Sequence, residues 1–188
     1  GNRRKTKDIK YLVIHYTGND GDSAKGNANY FKTHIVEASA HYFVDDNGII
    51  QSVPDDFAAY SVGGKKYPSC GKTGGGRFYG KCTNENSINV ELCDTRKNGK
   101  FDFSEETLDN AADLCRVLLK KYNISVDNII RHFDVTGKNC PAPFVSDGKA
   151  WEAFQERIVD EVKYYEEKKD VPKWAQPMVQ DMIDKGCF

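Results

Sequence analysis

Tyr11-Leu12-Val13-Ile14-His15-Tyr16 is a run of aliphatic, β-branched and aromatic residues that stops at Thr17-Gly18-Asn19-Asp20. Such a run, bounded by a polar turn containing glycine, reads as a β-strand. Working outward, Ser23 to Glu37 places Ala28, Phe31 and Ile35 at spacings of three and four, which predicts a helix. His41–Val44 and Ile49–Val53 flank Asp45-Asp46-Asn47-Gly48, a hairpin signal because Asn-Gly tolerates positive φ. Ser61 to Lys81 is rich in Gly, Lys and Tyr without a period, and reads as a long loop of the kind that is commonly functional. Ile88–Cys93 reads as a further strand. Ser104 to Tyr122 is the clearest helix: Leu108, Ala111, Ala112, Cys115, Leu118, Leu119 and Tyr122 make one apolar stripe, with Ser104 as N-cap and acids in the first turn. Ile129-Ile130-Arg131-His132 is a short strand, an irregular loop runs through Pro143, and Trp151, Phe154, Ile158, Val162 and Tyr165 mark a last helix. Strands alternating with helices predict an α/β fold, a central mixed β-sheet flanked by helices.

The 188 residues suffice for one compact domain and a short appendage. The formal net charge is −1, with Lys and Arg interspersed among Asp and Glu, so a nucleic-acid partner is not expected. Arg3-Arg4-Lys5 is followed by no apolar stretch of signal-peptide length, and no segment approaches the roughly 20 apolar residues that span a bilayer. No signal peptide and no membrane insertion are therefore expected. After Glu166-Glu-Lys-Lys-Asp170, Val171-Pro-Lys-Trp-Ala175 opens a short helical element with only Trp174, Met178, Met182 and Ile183 to bury. A single short helix makes no core alone. Residues 1–166 are thus expected to form the main domain, and 167–188 a linker and the start of a further C-terminal module.

Of the six cysteines, none forms a CxxC pair, which excludes a four-thiolate zinc finger. Cys115 falls on a helix's apolar stripe and reads as core. Cys70 and Cys82 bracket the glycine-rich loop, and a disulfide between them is one reading of that spacing. Gly71-Lys72-Thr73 imitates the end of a phosphate-binding loop, but Lys66 stands where that motif needs glycine. It reads instead as part of a flexible substrate loop long enough to border a polymer groove.

Of four histidines, His15 and His132 stand at strand ends, where ligand sites of α/β sheets gather. Cys140 follows in Thr136-Gly-Lys-Asn-Cys140-Pro-Ala-Pro143, a loop restrained by two prolines. Two imidazoles and one thiolate suit zinc and leave one position open for water. Taken singly, each also fits a structural role. In Ile88-Asn-Val-Glu-Leu92 the apolar residues share one strand face and leave Asn89 and Glu91 on the other, a face that solvent could also claim. His34 falls in the first helix and carries no evident chemistry.

Val13-Ile-His-Tyr-Thr17, Ser39-Ala-His-Tyr-Phe-Val44 with Asp46-Asn-Gly48, Ser87-Ile-Asn-Val-Glu-Leu92, and Arg131-His-Phe-Asp134 with Gly137-Lys-Asn-Cys-Pro141 follow one another in unbroken order. Together they resemble the zinc N-acetylmuramoyl-L-alanine amidases, the group shared by phage lysozyme-type amidases and peptidoglycan recognition proteins, over about Ile9 to Ile158. The resemblance implies that fold and an amidase catalytic domain over 1–166. It also implies one zinc per chain on His15, His132 and Cys140, and hydrolysis of the bond between N-acetylmuramic acid and L-alanine in peptidoglycan. It implies Glu91 as general base, since the tyrosine that one branch carries just before His41 is Ala40 here. Lys138 matches a lysine that stabilises the oxyanion, and His41 is expected as a substrate contact or groove wall. The implied partners are the glycan strand and its stem peptide. The implied place of action is the bacterial cell wall, as for an endolysin released from a host cytoplasm.

Two other readings compete. A receptor that binds peptidoglycan without cleaving it would lack the third ligand, Cys140. A structural zinc domain would need a fourth protein ligand. Val171-Pro-Lys-Trp-Ala175 with Lys185-Gly186 is similar to the opening of surface-layer-homology-like repeats, which fits a wall-binding module.

Overall fold

A computed structural model describes residues 1–160, 171 and 174–184. Five strands form one mixed sheet in the order β3-β2-β4-β1-β7: β1 (Tyr11–Tyr16), β2 (Tyr42–Asp45), β3 (Gly48–Gln51), β4 (Ser87–Leu92) and β7 (Ile129–Arg131). β1 runs parallel to both β4 and β7, β2 runs parallel to β4, and only the β2–β3 hairpin is antiparallel. A separate two-stranded ribbon joins β5 (Thr95–Lys97) to β6 (Lys100–Asp102). The expected mixed α/β sheet is present.

Strand alternation divides the sheet into two unlike faces. Leu12 and Ile14, Tyr42 and Val44, and Ile88, Val90 and Leu92 point to one side and form the principal core. That core is completed by α3 (Glu105–Tyr122), α5 (Ala142–Ser146) and α6 (Gly148–Asp160), through Ala111, Leu114, Cys115, Leu118, Phe144, Trp151, Phe154 and Ile158. Burying a side chain of this size stabilises by about 1.5–3 kcal/mol. Phe103, Phe144, Trp151 and Phe154 meet ring to ring at 5.1–6.0 Å. The other face carries two small apolar clusters. One is Phe43, Ala40 and Cys93 under α1 (Ala24–Thr33); the other is Val13, Val62, Cys82, Ile130 and Val135. Polar residues occupy the ground between them.

Several expectations are met residue by residue. Ser104 accepts a hydrogen bond from the Thr107 N–H as N-cap of α3, and Asn123, at φ 51°, ends that helix. Asp46 accepts from the Ser104 and Thr107 hydroxyls, and Asp45 accepts from the Ala24 N–H at 2.8 Å, so the hairpin turn holds both helices. Val162 and Tyr165 of the last predicted stripe, Lys185-Gly186 and Cys187 lie outside the described residues. Trp174 and Met178, the latter on α7 (Gln176–Asp184), pack against the principal core.

Other expectations are corrected. The first helix ends at Thr33, and Ile35 is fully exposed. Thr33 donates to the carbonyls of Asn29 and Tyr30, competing with the backbone for the last turn, and His34 adopts an extended conformation as C-cap. Cys70 and Cys82 are free thiols rather than a disulfide: Cys82 packs with Val13 and Ile130, whereas Cys70 lies against Thr136 and Gly137. The segment 61–81 is a docked strap, not a loose loop. Tyr67, Gly76 and Phe78 donate backbone N–H groups to the carbonyls of Thr136, Phe133 and Asp134. Gly71-Lys72-Thr73 is the exposed part of a single turn, α2 (Cys70–Thr73).

The buried Asp55 joins this framework, accepting from Tyr42 Oη at 2.8 Å, Gln51 Nε2 at 3.2 Å, Lys121 Nζ at 3.3 Å and the Tyr122 hydroxyl. Removing it takes the acceptor from the buried Tyr42 hydroxyl and from three less buried donors at once. Asp55→Ala is expected to cost about 3–5 kcal/mol in urea unfolding; a loss below about 1 kcal/mol means that the carboxylate is not a hub.

Candidate active site

Parallel pairing of β1 with β4 sets His15 opposite Glu91. Both side chains leave the sheet on the face away from the principal core, because Ile14, Val90 and Leu92 take the other. His132 opens α4 (His132–Thr136) directly after β7. A fork holds that junction: Asp134 accepts from Arg131 Nε at 3.0 Å, from Nη2 at 3.0 Å and from the Arg131 backbone N–H at 2.9 Å. The chain then turns back on itself. Gly137 caps α4 at φ 85°, and Phe133 N–H donates to the Cys140 carbonyl at 2.8 Å, so residues seven apart in sequence are neighbours. Position 137 accepts only glycine, since a Cβ there would lie 2.2 Å from Cys70 Sγ.

The ligating atoms of His15, His132 and Cys140 all lie within 4.8 Å of one another, and all three residues are buried. His15 Nδ1 stands 3.1 Å from His132 Nδ1 and 3.8 Å from Cys140 Sγ. Zinc bonds of about 2.0–2.1 Å to nitrogen and 2.3 Å to sulfur in a tetrahedron separate neighbouring donors by roughly 3.3–3.6 Å, so the set fits that ion. Burial lowers the imidazoles, His15 to about 4 and His132 to about 2, leaving both neutral with lone pairs to offer. Burial, aided by Glu91, raises the Cys140 thiol to about 12, and the Tyr16 backbone N–H and Lys138 oppose that shift. A nearby dication inverts this last preference and favours thiolate.

Glu91 Oε1 lies 3.9 Å from His15 Nδ1, and Oε2 is a buried acceptor without a hydrogen-bond partner among the described residues. Desolvation pushes this carboxyl up to about 8, against the pull of Lys138 and with help from Asp22 and Asp94. Lys138 is exposed, and with His132, Thr136, Tyr60 and Asn84 it lines an open cavity of about 770 Å³. The 61–81 strap supplies part of that wall through Gly63, Lys65 and Tyr67.

His41 is fully buried behind this constellation. Its Nδ1 accepts from the Asn89 backbone N–H at 3.0 Å, and its Nε2 meets the Phe57 carbonyl at 3.0 Å and Arg4 Nη2 at 2.8 Å. No face of the ring is open to a ligand. Asn89, which the sequence left on a strand face open to solvent, is likewise fully buried, with Oδ1 3.0 Å from His15 Nε2. The period-two pattern placed Asn89 beside Glu91; burial of that face is what the pattern could not carry.

Known proteins share this architecture. The family profile described as N-acetylmuramoyl-L-alanine amidase matches residues 5–143. A probable N-acetylmuramoyl-L-alanine amidase of Bacillus licheniformis is 38% identical over 160 residues, covering 82% of this chain and 42% of its own length. The N-acetylmuramoyl-L-alanine amidase CwlL of the same organism is 36% identical over 161 residues, with the same two coverages. The chain therefore spans under half the length of these curated relatives. The solution structure of the PlyG catalytic domain superposes with a TM-score of 0.66 at 30% identity, covering 88% of each chain. The catalytic domain of XlyA gives 0.63 at 28% identity, covering 84% of this chain and 89% of that one. With its family profile, its relatives and its fold in agreement, this chain belongs to the N-acetylmuramoyl-L-alanine amidase family.

Proposed function

We propose that this chain is a zinc-dependent catalytic domain that hydrolyses the amide between N-acetylmuramic acid and L-alanine in peptidoglycan. The observation that carries this reading is the convergence of two neutral imidazoles and one thiol beside a buried, unpartnered carboxylate oxygen. The names of its relatives, N-acetylmuramoyl-L-alanine amidases and, among solved structures, a mutant endolysin from Bacillus subtilis, support the same reading.

His15, His132 and Cys140 are the proposed ligands. Zinc, when bound there, supplies Lewis-acid polarisation and acidifies water. Glu91 takes the proton of the attacking water on its unpartnered oxygen and returns it to the departing L-alanine nitrogen. The Lys138 ammonium, at the cavity wall, faces the negative charge that develops on the carbonyl oxygen. Burial of the centre keeps bulk water from competing and strengthens both interactions. His41 is assigned a positioning role in place of the expected substrate contact, because its ring is enclosed. A receptor without catalysis is disfavoured by the presence of Cys140 within the donor cluster. Residues 167–188 are proposed to lead toward a wall-binding module, and the domain to act at the bacterial cell wall. Among the described residues no helix is long and apolar enough to cross a membrane.

Digestion of purified walls tests the reaction. New N-terminal L-alanine without new reducing sugar ends is the expected product, lost on chelation and restored by zinc; reducing ends in place of amino ends exclude the amidase assignment. Glu91→Gln is expected to lower kcat by about 10²–10⁴ with zinc retained, and Lys138→Ala by about 10². Near wild-type turnover in either variant removes that residue from the mechanism.

Zinc uptake is also expected to release protons. At pH 7 the metal-free centre holds a proton on Glu91, raised to about 8, and on Cys140, raised to about 12. A bound dication favours the ionised form of both, so affinity rises with pH below those values. Calorimetry in buffers of different ionisation enthalpy should give about two protons released per zinc in the wild type and about one in Glu91→Gln. Equal release in the two proteins means that Glu91 is not coupled to the ion.

A further inference from the structure

His15 is the more enclosed of the two proposed imidazole ligands, and which of its nitrogens carries the proton decides whether it can ligate. Only an Nδ1 without hydrogen presents a lone pair to His132 and Cys140, so the proton must sit on Nε2. The partner of Nε2 is Asn89 Oδ1 at 3.0 Å. An amide, however, can present either its oxygen or its NH₂ group in that direction, and in the flipped orientation the NH₂ would donate to the Nε2 lone pair and drive the imidazole proton onto Nδ1.

The surroundings of Asn89 remove that ambiguity. Its Nδ2 donates to Ser87 Oγ at 3.1 Å, and Ser87 Oγ donates its single proton to the Thr83 carbonyl at 2.7 Å. A backbone carbonyl only accepts, so the Ser87 hydroxyl must point to it and can only accept from Asn89. The asparagine backbone is fixed as well: its N–H donates to His41 Nδ1 at 3.0 Å, and its carbonyl accepts from the His41 N–H at 3.0 Å. Arg4 braces the outer end, donating to the carbonyls of Ser87 at 2.6 Å, Asn84 at 3.0 Å and Asp55 at 2.9 Å. Ser87 and Asn89 are both fully buried, so water does not compete.

We propose that Thr83 C=O, Ser87, Asn89 and His15 form a one-way hydrogen-bond chain that holds His15 in its zinc-ready tautomer, with Asn89 as positioning residue. Each link donates toward Thr83, and the lone pair left at the far end faces the metal centre. Asn89 never touches the ion, yet ligation depends on it. The inference rests on His15, His132 and Cys140 being the zinc ligands.

Zinc affinity, measured by chelator competition, and the His15 tautomer, read by long-range proton–nitrogen NMR on metal-free protein at pH 8, test the chain together. In the unmodified protein the proton is expected on His15 Nε2; finding it on Nδ1 overturns the proposal without any variant. Asn89→Leu, of similar size but without polar atoms, is expected to weaken zinc binding about 10–100-fold. Ser87→Ala, which frees the amide to turn over, should weaken binding by less and give a mixture of His15 tautomers. In the Asn89→Asp background the Ser87→Ala change should have no such effect, because a carboxylate accepts from His15 in either orientation. A folded Asn89→Leu protein with wild-type zinc affinity overturns the proposal. If the unmodified chain binds no zinc, the ligand assignment itself fails, an outcome distinct from unweakened binding in the variant.

Discussion

The register between β1 and β4 is the constraint on which the rest of the molecule depends. In a parallel pair with a side-chain period of two, the observed register sends Leu12, Ile14, Ile88, Val90 and Leu92 together to the helical side and sets His15 opposite Glu91. The same register sends His15, Asn89 and Glu91 to the other. A slip of one residue would turn one strand over relative to the other, carrying either His15 or the pair Asn89 and Glu91 toward Leu114, Leu118 and Phe154 and sending that strand's apolar residues to the chemical face. Hydrophobic burial of α3, α5 and α6 therefore fixes the position of groups it never touches. Stability and site geometry are two consequences of one pairing.

The polar face has its own economy. Taking imidazole, thiol and carboxyl groups out of water favours their uncharged forms, and the shifts at His15, His132, Cys140 and Glu91 all follow that direction. Glu91 Oε2, at the same centre, is a desolvated acceptor without a hydrogen-bond partner among the described residues. Such an atom costs stability unless something arrives to use it. A dication at the proposed site would offset that cost, and the neighbouring framework resists collapse into the space. The Arg131–Asp134 fork, the Phe133–Cys140 backbone bond and the strap docked on α4 all hold the second half of the donor set in place.

Two close approaches explain a glycine on each side of the contact between the strap and the loop beneath it. A Cβ at Gly75 would come within 2.9 Å of Gly137 Cα and of the Phe133 ring, and one at Gly137 would strike Cys70 Sγ. The strap lies backbone to backbone on the loop that carries Lys138 and leads to Cys140. It contributes a wall of the cavity and, at the same time, a clamp on the loop beneath. Its thiol, read from spacing as one reading of a disulfide, instead fills the contact with Thr136 and Gly137.

The sequence by itself determined the mixed α/β class and the α3 helix with its Ser104 cap, because these rest on local periodicity. Periodicity alone left His15, His132 and Cys140 open to structural roles; the resemblance to the amidases singled them out, and the fold brings them together. The sequence also sorted Glu91 and Asn89 from the apolar residues of β4. It misjudged the end of α1, where the Thr33 hydroxyl competes for the last-turn carbonyls and leaves Ile35 outside. It passed over the Asn98-Gly99 turn, where positive φ at both residues closes the β5–β6 ribbon. Only the tertiary structure decided that the face bearing Asn89 is dry, that His41 is enclosed, and that Thr83, Ser87, Asn89 and His15 are joined in series. Those facts depend on elements distant in the chain folding over one another, and water exclusion at a strand face leaves no local trace in the residues it covers.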